Sequence, residues 1–186
     1  MAIASVRPAV RDDVPDLVRI QLDTWRTAYA DLLPPDVLAG IDPDEAGQAW
    51  TTALTDGPAR IFVATEGGWT VGFCAAGPAP DDEVAGPDGT LPADASTVVL
   101  VGTLLVEPRW GRRGHGGRLL ATAAHALRAE GATRGIAWVP EQDDASRKFY
   151  AATAWQPDGT ARTLDAGGRP LREIRLTGTL DLRLTE

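Results

Sequence analysis

Residues 111–118, "GRRGHGGR", place four glycines and three arginines where a run of leucine and alanine begins. Glycine costs backbone entropy on folding, so a cluster has a use. One use is a loop whose N–H groups approach a partner closely. At the start of a helix that partner is an anion, often a phosphate. Arg112 and Arg113 fit phosphate pairing better than plain solvated charge. His115 reads most simply as an exposed loop residue, and His125 as a residue on a polar helix face.

Two nucleotide sites of the glycine-loop kind can be tested against the letters. A P-loop needs a lysine and a hydroxyl residue after its last glycine, and Gly117 is followed by Arg118 and Leu119. A dinucleotide fold needs a third glycine where Leu119 stands after Gly114 and Gly116. It also needs more alternating strands and helices than surround this segment. Neither pattern is met, although Glu141 sits where a ribose ligand would be sought.

The elements around the loop are legible from periodicity. "SVRPAV" reads as a first strand. A helix follows over "RDDVPDLVRIQLDTWRTAYADLL", capped by Asp12 or Asp13, with Pro15 in its first turn and an end at Pro34 and Pro35. Its stripe includes Val14, Leu17, Val18, Leu22, Trp25 and Tyr29, with the polar Gln21 among them. Trp25, Tyr29 and Trp50 read as core packing. "DPDEAGQAWTTALTDG" is a second helix, with Asp42 as cap and Pro43 at its first position. "RIFVATEGGWTVGFCAAG" reads as a hairpin turning at Gly67–Gly68. The segment "PAPDDEVAGPDGTLPADAS" is a long loop. "TVVLVGTLLVEP" is apolar almost throughout and reads as a central strand, with Gly102 marking a bulge or a close backbone approach. The glycine loop leads into a helix from about Gly117 to Glu130. Leu119, Leu120, Ala123, Ala124 and Leu127 are its buried stripe and Gly131 its C-terminal cap. "RGIAWV" is a strand, "DDASRKFYAATA" a short helix capped by Asp143 or Asp144, and the tail a pair of strands about Gly167–Gly168.

Composition bounds the function. The chain has 186 residues and a formal charge of −8, which argues against a nucleic-acid-tracking surface. Cys74 is the one cysteine, so neither an internal disulfide nor a cysteine zinc site is available, and two histidines make a histidine metal site improbable. No apolar run is long enough to span a bilayer, and the first residues lack a signal peptide's apolar core. The expectation is a cytoplasmic protein with no metal, no membrane partner and no nucleic-acid partner.

"LLVEPRWGRRGHGGRLL" resembles the acetyl-CoA loop of the GNAT superfamily of N-acetyltransferases, whose pattern is R/Q-x-x-G-x-G/A after a central strand. "WVPEQDDASRKFYAATAWQPDG" is similar to that family's next block. "VRPAVRDDVPDLVRI" and "WRTAYADLLP" resemble its opening, and "GGRPLREIRL" its closing strands. The resemblance spans nearly the whole chain in the family's order. It implies an α/β fold of one domain over residues 1–186: a mixed, mostly antiparallel central sheet flanked by helices, with a splayed pair of central strands. It implies acetyl-CoA as cosubstrate and a primary amine of a small molecule or peptide as acceptor. The family is often dimeric, so the resemblance also admits a homodimer.

The resemblance implies roles residue by residue. The backbone of Arg112, Arg113, Gly114, His115, Gly116 and Gly117 would hold the pyrophosphate. The backbone of Leu104, Leu105 and Val106 would pair with the pantetheine arm, the Val106 N–H facing the thioester oxygen. Asp143 and Ser146 lie in the block that borders the cofactor arm. Tyr150 would protonate the departing thiolate; without the resemblance it reads as a core aromatic. Three positions depart from the pattern. Gly111 stands where Arg or Gln is usual, Asp143 where Asn is common, and Ala154 where glycine precedes the aromatic.

Amine acetylation also needs a base, because an amine is mostly protonated at neutral pH. The central strand carries no carboxylate. Glu107 follows it and reads as a surface residue; Glu66, Asp31 and the acids at 81 to 83 qualify only if the fold brings them close. The acidic loop "PDDEVAGPD" suggests a cationic acceptor. The missing strand carboxylate, with Gly111, keeps open a non-catalytic acyl-CoA sensor of the same fold.

Overall fold

A computed structural model describes residues 3–182. Seven strands form one sheet: β1 (Ala4–Pro8), β2 (Arg60–Glu66), β3 (Trp69–Pro78), β4 (Val98–Val106), β5 (Arg134–Pro140), β6 (Gln156–Ala166) and β7 (Arg169–Thr179). Their order is β1-β2-β3-β4-β5-β7-β6. Every neighbouring pair is antiparallel except β4 and β5, which are parallel. The helices are α1 (Val14–Ala28), α2 (Pro35–Ala39), α3 (Pro43–Thr55), α4 (Asp81–Val84), α5 (His115–Ala129) and α6 (Asp144–Ala152). The expected mixed, mostly antiparallel sheet is therefore present. Among the described residues no helix is long and apolar enough to cross a membrane.

The sheet is covered on both faces. The α5 stripe of Leu119, Leu120, Ala123, Ala124 and Leu127 is buried as its spacing predicts, against Val99, Val101, Ala137 and Val139. On the other face Leu17 and Ile20 of α1 pack on Ile61, Val63, Phe73 and Leu105. Trp50 of α3 sets its ring edge-on to Phe73 and donates its indole N–H to Gln21 Oε1 at 2.7 Å. That bond is the reason a polar residue belongs in the α1 stripe.

Two features make the sheet open at its centre. The β3–β4 register steps from Ala75↔Thr103 to Ala76↔Val101, leaving Gly102 as the extra residue of a bulge. The β4–β5 pairing then ends at Leu100↔Ile136, although both strands run on. A bulged strand bends and twists more, so β4 and β5 part like the arms of a V.

The structure revises several boundaries. Helix α1 stops at Ala28 rather than at the prolines, and Leu32 and Leu33 turn back to donate to the Tyr29 carbonyl. Asp13 occupies the N-cap position of α1, but its carboxylate takes Arg7, at 2.7 and 2.8 Å, and the Val10 N–H. Helix α5 begins at His115, two residues before the expected start. The long loop holds α4, whose Val84 is buried with Val98 and Ile136.

Candidate functional site

The glycine loop connects β4 to α5. Its conformation is one that side chains resist: Arg112 has φ 61° and Gly114, at the N-cap of α5, has φ 79°. Gly116 is small because the Phe149 ring lies on it; a Cβ there would meet that ring at 3.1 Å. The result is a concave turn of backbone. Among the described residues, none of the N–H groups from residue 112 to 117 has a hydrogen-bond acceptor, while Arg118 donates back to Gly114. The free N–H groups of a first helical turn carry partial positive charge, and an anion fits them. Among the described residues Arg112 has no carboxylate partner, so its guanidinium is available to the same anion.

His115 is not exposed. It is 2% exposed, and its Nε2–H donates to Glu66 Oε2 at 2.7 Å. Glu66 also takes Arg113 at 3.1 Å, and Arg113 lies over the Trp110 ring at 4.9 Å. These side chains support the loop from behind and leave its backbone to face outward. The loop alone suggested exposure for His115; the first residue of a packed helix turns its side chain toward the neighbouring strand instead.

The V between β4 and β5 opens into a cavity of about 370 Å³. The β4 arm contributes Val101 to Leu105 and the β5 arm Trp138 to Pro140. Because the Glu107 N–H goes to Val71 on β3, strand alternation turns the N–H groups of Leu104 and Val106 the other way, into the gap. From α6 come Ser146 and Tyr150. The opposite wall is built by Trp25 of α1, Tyr29, Leu32 and Leu33 after it, Val37 of α2, and the β6–β7 hairpin with Leu164, Asp165, Leu171 and Glu173. The hairpin tip rests on α2: at Gly167, φ 66°, a Cβ would meet Val37 Cγ2 at 2.4 Å. Trp25 and Tyr29, expected in the core, are half-buried and line this cavity.

Tyr150 is 5% exposed and stacks on Trp155, ring centroids 5.3 Å apart. Trp155 is itself held flat on the sheet, since a Cβ on Gly135 or Gly178 would run into its ring at 2.3 or 2.1 Å. Burial pushes the Tyr150 phenol well above its ordinary pKa, with Cys74 and Tyr29 adding to the rise. Burial likewise pushes the Cys74 thiol up to about 12. The Tyr29 phenol is raised to about 12 by burial first, then by the charges of Asp143 and Glu173. Both phenols remain neutral hydrogen-bond donors at any ordinary pH. Asp143 caps α6, accepting from the Ser146 N–H at 3.0 Å and the Ser146 hydroxyl at 2.6 Å. That accounts for a carboxylate at this position.

The base candidates separate cleanly. Glu66 is behind the glycine loop. Glu107 is not a surface residue: it is 7% exposed, and Arg19 and Arg109 hold it at 2.8 and 2.5 Å. Asp31 and the acids at 81 to 83 do not line the cavity, and Glu83 is engaged by Arg162 at 2.9 Å. The carboxylates that do line it, Asp165 and Glu173, went unnoticed in the sequence. The available signal was the alternation of "LREIRL", which puts Glu173 and Arg175 on one strand face. Among the described residues no group of three or more His, Cys, Asp or Glu gathers as a metal site.

Residues 16–154 match the Acetyltransferase (GNAT) family. The uncharacterized N-acetyltransferase YuaI of Bacillus subtilis is 32% identical over 94% of this chain and 92% of its own. Among solved structures, the PaiA N-acetyltransferase of Thermoplasma acidophilum in complex with coenzyme A superposes with a TM-score of 0.71 at 13% identity. That alignment covers 95% of this chain and 99% of the other. YncA of Salmonella typhimurium, with its cofactor acetyl-CoA, gives a TM-score of 0.69 at 17% identity over 98% and 96% of the two chains.

Proposed function

Because this chain belongs to the GNAT family and is an N-acetyltransferase, we propose that residues 1–186 act as one domain that moves the acetyl group of acetyl-CoA to a primary amine of a small molecule or peptide. The observation that carries the reading is the V between β4 and β5, leading from the free N–H groups of residues 112 to 117 into a cavity that contains Tyr150. The donor group fits this surface. Unpartnered N–H groups at a helix start suit a pyrophosphate, and the cleft-facing N–H groups of an unpaired strand arm suit an extended amide-bearing chain.

Acetyl-CoA supplies its acetyl group as a thioester. The residues of this chain orient it and manage charge. The N–H groups of Leu104 and Val106 align the extended arm, and the Val106 N–H meets the negative charge that grows on the carbonyl oxygen. An ammonium nucleophile loses one proton before attack. The nitrogen then forms the C–N bond as the C–S bond breaks. Tyr150 gives its proton to the leaving sulfur, and the second proton shed by nitrogen restores the phenol. The balance is an ammonium and a thioester in, and an amide, a thiol and one proton out.

The sensor reading rested on a central strand without a carboxylate and on Gly111 in the glycine loop. The cavity obtains its carboxylates from β7 and from the end of β6, so β4 need not supply one.

Tyr150→Phe tests the assignment. It keeps the ring on Trp155 and removes only the hydroxyl. The expected outcome is a kcat lower by about 10² to 10⁴ with the acetyl-CoA Kd unchanged. The raised pKa sets the sign with pH: the protonated, donating form persists as pH rises, so the loss is the same at pH 6 as at about pH 9. A kcat within about twofold of wild type in single-turnover measurements would return Tyr150 to a packing role.

A further inference from the structure

The two walls of the cavity differ in chemistry, and the difference identifies the acceptor. The wall opposite Tyr150 is apolar: Trp25, Leu32, Leu33, Val37, Leu164 and Leu171. Its charged groups are Asp165 and Glu173, and among the described residues no arginine or lysine lines the cavity. Glu173 is held rather than free. Its side chain is 12% exposed, and its Oε2 accepts from Arg162 Nε at 2.7 Å. Arg162 is fixed in turn by Glu83 at 2.9 Å and by the Trp138 ring, 4.2 Å beneath its guanidinium. A second guanidinium, Arg175, lies over the same ring at 5.6 Å and is neutralised by Asp158 at 2.6 Å, so two guanidiniums among three carboxylates leave a net negative charge. Among the described residues Glu173 Oε1 accepts no hydrogen bond.

We infer that the acceptor half of the cavity selects amines that carry an apolar body and no acid group, with Glu173 receiving the nitrogen. The inference rests on the reading of the V as the acetyl-CoA cleft and specifies the second substrate of that same site. An ammonium pairs with the open Oε1 while its body covers the leucines and Trp25. An α-amino acid of the same shape brings a carboxylate to a wall that offers it two carboxylates and no cation. Like charges a few ångströms apart at a partly buried site lower affinity by roughly 100-fold or more.

The test uses the whole protein saturated with CoA, so that binding is read without turnover. Calorimetry compares 2-phenylethylamine, phenylalanine, spermidine and the neutral 2-phenylethanol on wild type and on Glu173→Gln. The expected result is binding of 2-phenylethylamine at least about 100-fold tighter than phenylalanine. Glu173→Gln, which still accepts from Arg162, weakens 2-phenylethylamine at least about tenfold and leaves 2-phenylethanol within about twofold. A residue that merely held the hairpin would move both ligands alike, and that result overturns the inference. Equal or tighter phenylalanine binding overturns it, as does spermidine binding without 2-phenylethylamine binding, or binding by none of the four. A wild type that binds 2-phenylethylamine as expected but gives no acetyl product with any amine counts against the proposed reaction, not against this selectivity.

Discussion

The two halves of the cavity are made from different material. The proposed cofactor half is made of backbone: the N–H groups of residues 112 to 117 and those of Leu104 and Val106 on an unpaired strand arm. The acceptor half is made of side chains from separate segments: the end of α1, α2 and the β6–β7 hairpin. A surface of N–H groups reads a phosphate or an amide chain whatever side chains surround it. A wall of side chains can be rebuilt for a new acceptor without touching the donor. The division explains how a loose resemblance, with Gly111 and Asp143 off pattern, is compatible with the same cofactor and says little about the acceptor.

The largest expected effect comes from breaking the backbone half. Gly114→Val puts a β-branched residue at φ 79°, where only glycine sits without strain. The turn must relax, and the N–H groups on either side lose their common focus. Charge-assisted hydrogen bonds of this kind contribute about 1.5–3 kcal/mol each. Acetyl-CoA affinity is expected to fall at least about 100-fold, or about 2.7 kcal/mol, while the strain of a left-handed valine, about 1–2 kcal/mol, lowers the Tm by about 2–8 °C without unfolding the protein. Calorimetry with acetyl-CoA and a thermal melt make the check. Wild-type affinity in a folded variant would show that the pyrophosphate sits elsewhere.

This asymmetry also governs what the sequence disclosed. Backbone sites advertise themselves, because they need glycine and glycine has few other uses in clusters. Hence the glycine loop, the bulge at Gly102 and the turn at Gly67–Gly68 were legible, and the α5 stripe followed from its period. The acceptor wall was not legible. Leu33 and Val37 lie far in the chain from Leu164 and Glu173, and the two pairs meet only because the hairpin tip rests on α2. Trp25 and Tyr29 have the spacing of core residues, and periodicity cannot distinguish a core from a cavity lined by the same face. Glu107 was misread for a related reason. A carboxylate after a strand is normally solvated, and its burial depends on Arg19 from α1.

A smaller effect sharpens the comparison from the other side. Leu33→Ala thins the acceptor wall and touches no part of the loop or of β4. Losing part of a half-buried leucine is expected to cost about 1–1.5 kcal/mol of apolar contact. KM for an apolar amine therefore rises about tenfold, and acetyl-CoA affinity stays within about twofold. A matching loss of acetyl-CoA affinity would mean that the two halves are one cooperative unit rather than separable surfaces.

The smallest effect lies at the joint between the halves, where Tyr150 ends in α6. Two helices of this chain close with the same bonds. After α5 the Ala132 N–H goes to Leu127 O and the Gly131 N–H to Arg128 O. After α6 the Trp155 N–H goes to Tyr150 O and the Ala154 N–H to Ala151 O. Both are Schellman closures, whose penultimate residue is left-handed. Gly131 meets that requirement at φ 100°, whereas Ala154 is held at φ 62° with a Cβ in the way. A left-handed non-glycine residue costs about 1–2 kcal/mol, and glycine returns part of that through its larger entropy in the unfolded chain. Ala154→Gly is thus expected to stabilise the protein by about 0.5–1 kcal/mol, raising the Tm by about 1–4 °C. Trp155 remains clamped by Gly135 and Gly178, so Tyr150 keeps its place and kcat does not change. A melt alongside single-turnover kinetics decides the matter. A lower Tm would show that the Ala154 methyl makes contacts worth more than its strain. A higher Tm with a lower kcat would show that the strained turn itself aims Tyr150 at the gap between β4 and β5.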